Sequence, residues 1–119
     1  MDKWDLRART KAFSLLVVKL FQKLPRQVEA AVLGKQLLRC ATSVGANYRA
    51  ASIAKSKSDF IAKIKICEEE ADECEYWLEL LEEAGIIKSE DVAALKREGR
   101  ELANIFSASA KTARERSQN

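Results

Sequence analysis

Residues 60–81 read "FIAKIKICEEEADECEYWLELL", and apolar or small residues recur in it at Phe60, Ile64, Cys67, Ala71, Cys74, Leu78 and Leu81. The intervals alternate between four and three. At 3.6 residues per turn such a set falls on one narrow stripe of an α-helix, whereas a half-buried strand would need a period of two. Outward from this stretch the rule repeats. It gives Leu6, Thr10, Phe13, Val17, Leu20 and Leu24 in a first segment, and Leu33, Leu37, Cys40, Val44, Asn47 and Ala51 in a second. In a fourth it gives Val92, Leu95, Gly99, Leu102, Phe106, Ser109 and Ala113.

The breaks between segments are few. Pro25 forces Leu24 out of the α region and ends the first helix. Ser56 or Ser58 offers an N-cap ahead of Phe60. Gly85 supplies a C-terminal stop, and Ser89 an N-cap followed by Glu90 and Asp91, which suit the positive end of a helix dipole. The expected helices are therefore 4–23, 26–54, 58–84 and 90–115. A sustained three/four alternation is the signature of helices crossing at shallow angles, and short connections place neighbours antiparallel. The fold expected is all-α, an antiparallel up-down-up-down four-helix bundle forming one domain over 1–119. The polar tail "KTARERSQN" at 111–119 is expected to fray.

Within the second segment, "SVGANYRAA" at 43–51 places Gly45 and Asn47 where helix propensity favours Ala or Leu. Gly45, with Ala41, Ala46, Ala50 and Ala51, would let a facing backbone come close. Asn47, on the stripe, is expected to bond another helix or a break in its own, and so to fix register, because an unpaired buried amide costs about 1–3 kcal/mol.

Composition bounds the function. The 119 residues include no histidine, which removes the commonest acid–base catalyst and most zinc and di-iron sites. A non-catalytic protein without metal or cofactor is the expectation. No apolar run approaches the roughly 18 residues of a membrane span, and the N-terminus lacks a secretory apolar region. Three cysteines in helical pattern, Cys40, Cys67 and Cys74, fit small buried hydrophobes in a reduced, cytoplasmic setting.

Net charge is +3, unevenly placed. Residues 1–67 carry 14 Lys/Arg against 4 Asp/Glu, whereas residues 68–87 carry nine acids and no base. Either the two regions neutralise each other in the bundle, or a basic surface remains for an anionic partner such as RNA or DNA. The candidate phosphate contacts are Lys11, Lys19, Lys23, Arg26, Lys35, Arg39 and Arg49, with Lys55, Lys57, Lys63 and Lys65 at the start of helix three. The contrary chemical reading uses two Glu-x-x-Glu pairs, Glu70/Glu73 and Glu98/Glu101, as Mg²⁺ ligands of an all-α nucleotide pyrophosphohydrolase. Arg97 and Arg100 stand beside the second pair as neutralising groups.

The stripes leave apolar residues over. Trp4, Leu15 and Val18 point roughly away from the stripe of helix one, and Ile66, Trp77 and Leu80 form a second line on helix three. Helices apolar on two faces are usually buried on both, so these six residues are candidates for a homo-oligomer interface.

"LGKQLLRCATSVGANYRAA" (33–51) followed by "KSKSDFIAKIKICEEEADECEYWLELLEEAGII" (55–87) resembles the four-helix-bundle proteins encoded in 23S ribosomal RNA intervening sequences. The likeness lies in Gln36/Arg39, in Ser43/Asn47 and in the acidic run leading to "EYWLELL". Accessory proteins of diversity-generating retroelements share that fold. The resemblance implies a ring-shaped homopentamer with a basic surface for nucleic acid and, among retroelement relatives, for a reverse transcriptase. Many relatives carry "NIAEG" where this chain has "NYRAA". A purely structural protein–protein interaction module is the remaining alternative.

Overall fold

The computed structural model describes residues 2–118, with side chains through Arg116. Four helices occupy almost all of it: α1 (Lys3–Gln22), α2 (Val28–Ser52), α3 (Lys57–Glu83) and α4 (Ser89–Gln118). No strand occurs among the described residues. The body measures 52 × 21 × 20 Å, so two helices lie abreast in each cross-direction at about 10 Å each. α2 packs on α1 and α3, α4 packs on α3 and more lightly on α1, and the α1 and α3 backbones are not adjacent. That circuit is the packing of a four-helix bundle.

The termini follow local chemistry. Asp2 caps α1 by accepting from the backbone N–H groups of Trp4 and Asp5 at 2.9 and 3.0 Å. Of the two candidate serines, Ser56 is the cap, accepting from the Asp59 N–H at 3.1 Å, and Ser58 lies inside α3. α3 stops where Gly85 adopts φ +75°, a left-handed conformation that a side chain would strain. The Gly85 N–H donates to Glu82 and the Ile86 N–H to Leu81, the paired bonds of a Schellman motif. α1 ends at Gln22, just before Pro25, and α2 starts at Val28 without a side-chain cap. At the far end α4 is helical through Gln118, beyond the expected end at 115; Asn119 lies outside the described residues.

The predicted stripes meet in one core, with Phe13, Leu37, Ile64, Leu78, Leu81 and Phe106 fully buried. Two positions correct the sequence reading. On α2 the core residue after Val44 is Tyr48, stacked on Phe106 with ring centroids 6.0 Å apart, and burial lifts its phenol pKa above the usual range. Asn47 is only half-buried, and it bonds neither another helix nor a break. Its amide donates to the carbonyl and hydroxyl oxygens of Ser43 on the previous turn, each at 2.9 Å. α2 therefore runs on unbroken through Gly45.

Gly45 has the packing role expected of it. A Cβ there would stand 3.2 Å from Ser14 Oγ and 3.6 Å from the Thr10 carbonyl oxygen of α1. The Ser14 hydroxyl stitches the same contact, 3.0 Å from the Ala41 carbonyl and 3.1 Å from that of Thr10.

On the opposite side of α2 lie the thiols. Cys40 Sγ is 3.1 Å from Cys74 Sγ, and Cys67 Sγ points at the Val44 carbonyl at 3.7 Å. All three are buried and free. Burial pushes the Cys67 thiol up to about 12, and the hydrogen bond with Cys40, reinforced by burial, raises that of Cys74. Enclosed in the core, the three cysteines act as packing groups rather than nucleophiles.

Candidate nucleic-acid interface

Four of the nine acids at 68–87 are answered by arginines from neighbouring helices. Arg39 of α2 bonds Glu70 at 2.9 Å and also Glu73, while Gln36 steadies its guanidinium at 3.1 Å. From α4, Arg100 bonds Asp72 at 3.1 Å and also Glu75, and Lys96 lies 3.7 Å from Glu82. A third clamp joins α1 to α4, where Arg9 grips Glu98 through two bonds of 2.7 Å and reaches Glu101 at 2.9 Å. Contact with Glu98 raises the pKa of Arg9, and its hydrogen bond to Glu75 raises that of Arg100.

These clamps bear on two expectations. Arg39 ties α2 to Glu70 and Glu73 of α3 while 47% of its side chain stays exposed. The two Glu-x-x-Glu pairs are held by Arg39 and Arg9 from different helices, not by Arg97 and Arg100, and they do not converge. No group of three or more candidate metal ligands occurs among the described residues.

The other predicted cations divide by place. Lys63 bonds Asp59 of its own helix at 2.5 Å. Lys19 and Lys23 border a cavity of about 480 Å³ at the end of α1, floored by Leu16, Leu20 and Leu95 and edged by Lys88 and Asp91. Arg26 edges an apolar hollow beside Pro25. Lys35, Lys55, Lys57 and Lys65 are exposed and scattered. Lys11 and Arg49 converge from two helices, across a groove of about 370 Å³ between α1 and α2, and they do so with a third cation, Arg7, and no carboxylate. Sequence reasoning missed Arg7. The signal was present in its spacing of four from Lys11, which sets both on one edge of α1.

The spare apolar residues also divide. Trp4, Leu15 and Ile66 are 62%, 51% and 41% exposed, whereas Val18, Trp77 and Leu80 are half-buried. Trp77 packs against the core and donates its indole N–H to Glu73 at 2.8 Å. Leu16, Val28, Val32, Ile53 and Tyr76, which the stripe argument did not single out, are exposed as well. No helix among the described residues is long and apolar enough to cross a membrane.

A family model described as "23S rRNA-intervening sequence protein" matches residues 3–108. Among solved structures, a protein of unknown function from the S23 ribosomal protein family of Bacteroides thetaiotaomicron superposes with a TM-score of 0.86. It is 34% identical to this chain, and the match covers 93% of this chain and 99% of that one. No curated protein matches the chain.

Proposed function

The chain belongs to the 23S rRNA-intervening sequence protein family, and on that premise we propose that it is a non-catalytic, self-associating scaffold that binds RNA or DNA through the backbone phosphates. One observation carries this reading. Five of the nine acids at 68–87 are met by Arg39 of α2 and by Lys96 and Arg100 of α4, while Lys11, Lys35 and Arg49 make no ion pair among the described residues. Mutual neutralisation thus takes up about half of the acidic run and still leaves cations on α1 and α2 over. Cations that remain unpaired release counterions when a polyanion docks, which gives affinity without base readout.

Self-association is supported by the apolar residues left in water, Leu15 on α1 and Ile66 on α3 first, with Val18, Trp77 and Leu80 at their margins. An interface core is apolar and poor in charge. Trp4 differs, because its ring carries the guanidinium of Arg7 at 4.7 Å and the ammonium of Lys3 at 5.6 Å from its centroid. We therefore place it on the nucleic-acid side of the molecule. The pairings of Ser14 with Ala41, Leu24 with Gly34, Cys40 with Cys74 and Cys67 with Val44 support the antiparallel up-down-up-down path. The three free thiols fit a reduced, cytoplasmic compartment.

A filter-binding titration with single-stranded RNA and DNA across salt concentrations tests the reading. Affinity is expected to fall linearly with the logarithm of salt. Binding that is micromolar or weaker and indifferent to salt overturns it. Light scattering tests assembly, for which the expected particle is a multiple of the 13.3 kDa protomer, the ring-shaped pentamer foremost. A particle of single-protomer mass at high concentration overturns it.

A further inference from the structure

The groove between α1 and α2 gathers what the scattered cations lack. Arg7 and Lys11 stand one turn apart on its α1 wall, Arg49 faces them from α2, and Gly45 and Ala46 line it between the walls. No carboxylate lines it, and none of the three cations has an ion-pair partner among the described residues. Two hydroxyls complete the walls, but their protons are committed. Ser14 donates to backbone carbonyls, and Thr42 does the same toward Leu38 at 2.8 Å. The donors for an incoming anion therefore come from Arg7, Lys11 and Arg49.

Size and surroundings narrow the ligand. Residues 7–14 of α1 and 42–49 of α2 each rise about 10 Å, roughly three stacked nucleotides at 3.4 Å per step. Packed helix axes lie about 8–10 Å apart, leaving a furrow one backbone wide, whereas the major groove of a duplex is itself about 12 Å across. Trp4 is more than half exposed and shares Arg7 with the furrow, which sets an aromatic face at its end. A basic track ending on an exposed aromatic ring, here one that also carries Arg7 and Lys3, is an arrangement that holds unpaired strands, since every base has a face to stack.

We propose that the α1–α2 groove seats about three consecutive phosphates of a single-stranded nucleic acid, with Trp4 stacking the base at one end. This rests on the nucleic-acid reading above and assigns it to one groove. Arg7 and Arg49 present forked donors and Lys11 a point charge, while the floor offers nothing that reads a base edge. RNA and DNA strands share the phosphodiester chemistry that the groove recognises.

Fluorescence anisotropy with a labelled 12-nucleotide RNA, the DNA of the same sequence and the matching DNA duplex, between 50 and 200 mM salt, tests it. Both single strands are expected to bind within a few-fold of each other and more tightly than the duplex. Replacing Arg7, Lys11 and Arg49 together by Gln should flatten the salt slope by about 2, at 0.7 per phosphate. Over that salt range the wild type then weakens by about 16-fold more than the variant. Ala46→Glu, at an exposed helical position, places a carboxylate among the cations and should abolish binding while circular dichroism stays unchanged. Trp4→Ala should lower affinity about tenfold and leave the slope alone. Replacing Lys19, Lys23 and Lys88 by Gln removes equal charge from the other end of α1 and should change little.

If that last variant loses binding while the groove variants keep it, nucleic-acid binding stands and the groove assignment falls. Tighter binding of the duplex, or a more than tenfold preference for one sugar, also overturns the assignment. If the wild type binds no strand at all, the nucleic-acid reading falls first and takes the groove with it.

Discussion

The two sides of α2 solve opposite problems with the same helix. Toward α3 it presents Leu37, Cys40 and Val44 to a dry seam and sends Arg39 over the rim to close on Glu70 and Glu73. Toward α1 it presents Ala41 and Gly45, so the two backbones come close, and it leaves Arg49 facing Arg7 and Lys11 with no acid between them. Charge counted along the sequence does not separate these cases. What separates them is the facing helix: α3 is acidic where Arg39 meets it, and α1 is basic where Arg49 does. A cation is structural or free according to its angular position on α2.

The largest expected effect breaks the dry side. Leu37 is 2% exposed, and Leu37→Ala should lower unfolding free energy by about 2–5 kcal/mol, read from urea denaturation. A loss under about 1 kcal/mol would mean that the seam collapses around the cavity and is not the rigid half of the molecule.

The next test uses protons on the same side. The Cys67 thiol is raised by burial from 9.0 to about 12. In the unfolded chain it ionises near pH 9, while in the folded protein it stays protonated until about 12. Above pH 9 the folded state therefore holds more protons, and its stability must fall as pH rises. The expected slope from this group is about 1.4 kcal/mol per pH unit between pH 9 and 12. Cys67→Ala removes the thiol contribution, so its stability profile should be flatter in that window. Profiles of equal slope would place the thiol in contact with water.

How much of this contrast could be read in advance depends on what decides each contact. The four helices follow from periodicity and from Pro25, Ser56 and Gly85, all local signals. The stripe through Phe60, Ile64 and Cys67 was legible because spacing alone fixes which residues share a face. Tyr48 was not, since 44, 47 and 48 all fit a 3.6-residue period. The choice between Asn47 and Tyr48 is made by Phe106 arriving from α4. The destinations of Arg9, Arg39 and Arg100 depend on rotation between helices that are distant in sequence, and so does the convergence of Arg7, Lys11 and Arg49. Eleven cations were nominated, and only two of those, Lys11 and Arg49, stand in the groove.

A smaller effect sharpens the close approach on the wet side. At position 45 a methyl group meets Ser14 Oγ at 3.2 Å, a contact that a slight shift of the hydroxyl relieves. Ala is also the better helix former by about 1 kcal/mol. Gly45→Ala should therefore stay within about 1 kcal/mol of wild type. Gly45→Leu has to push α1 away and should cost about 1–3 kcal/mol. It should also widen the groove and weaken single-strand binding. Denaturation of the two variants in parallel checks this, and equal stabilities would show that α1 does not bear on Gly45.

The smallest stability effect separates the two kinds of arginine most cleanly. Arg39 keeps 47% of its side chain in water, and so a screened ion pair there is worth about 0.2–1 kcal/mol. Arg39→Gln should cost no more than that, and the difference should shrink at high salt as Glu70 and Glu73 are screened. Arg49→Gln removes no ion pair, so the expected change in stability is nil at any salt concentration. In strand binding the order reverses. Arg49→Gln should lower the salt slope by about 0.7, the contribution of one phosphate. Arg39→Gln should leave that slope alone, since its charge already answers two carboxylates. If Arg39→Gln weakened binding as much as Arg49→Gln, the ion pairs to α3 would open when the strand docks. The two sides of α2 would then form one surface.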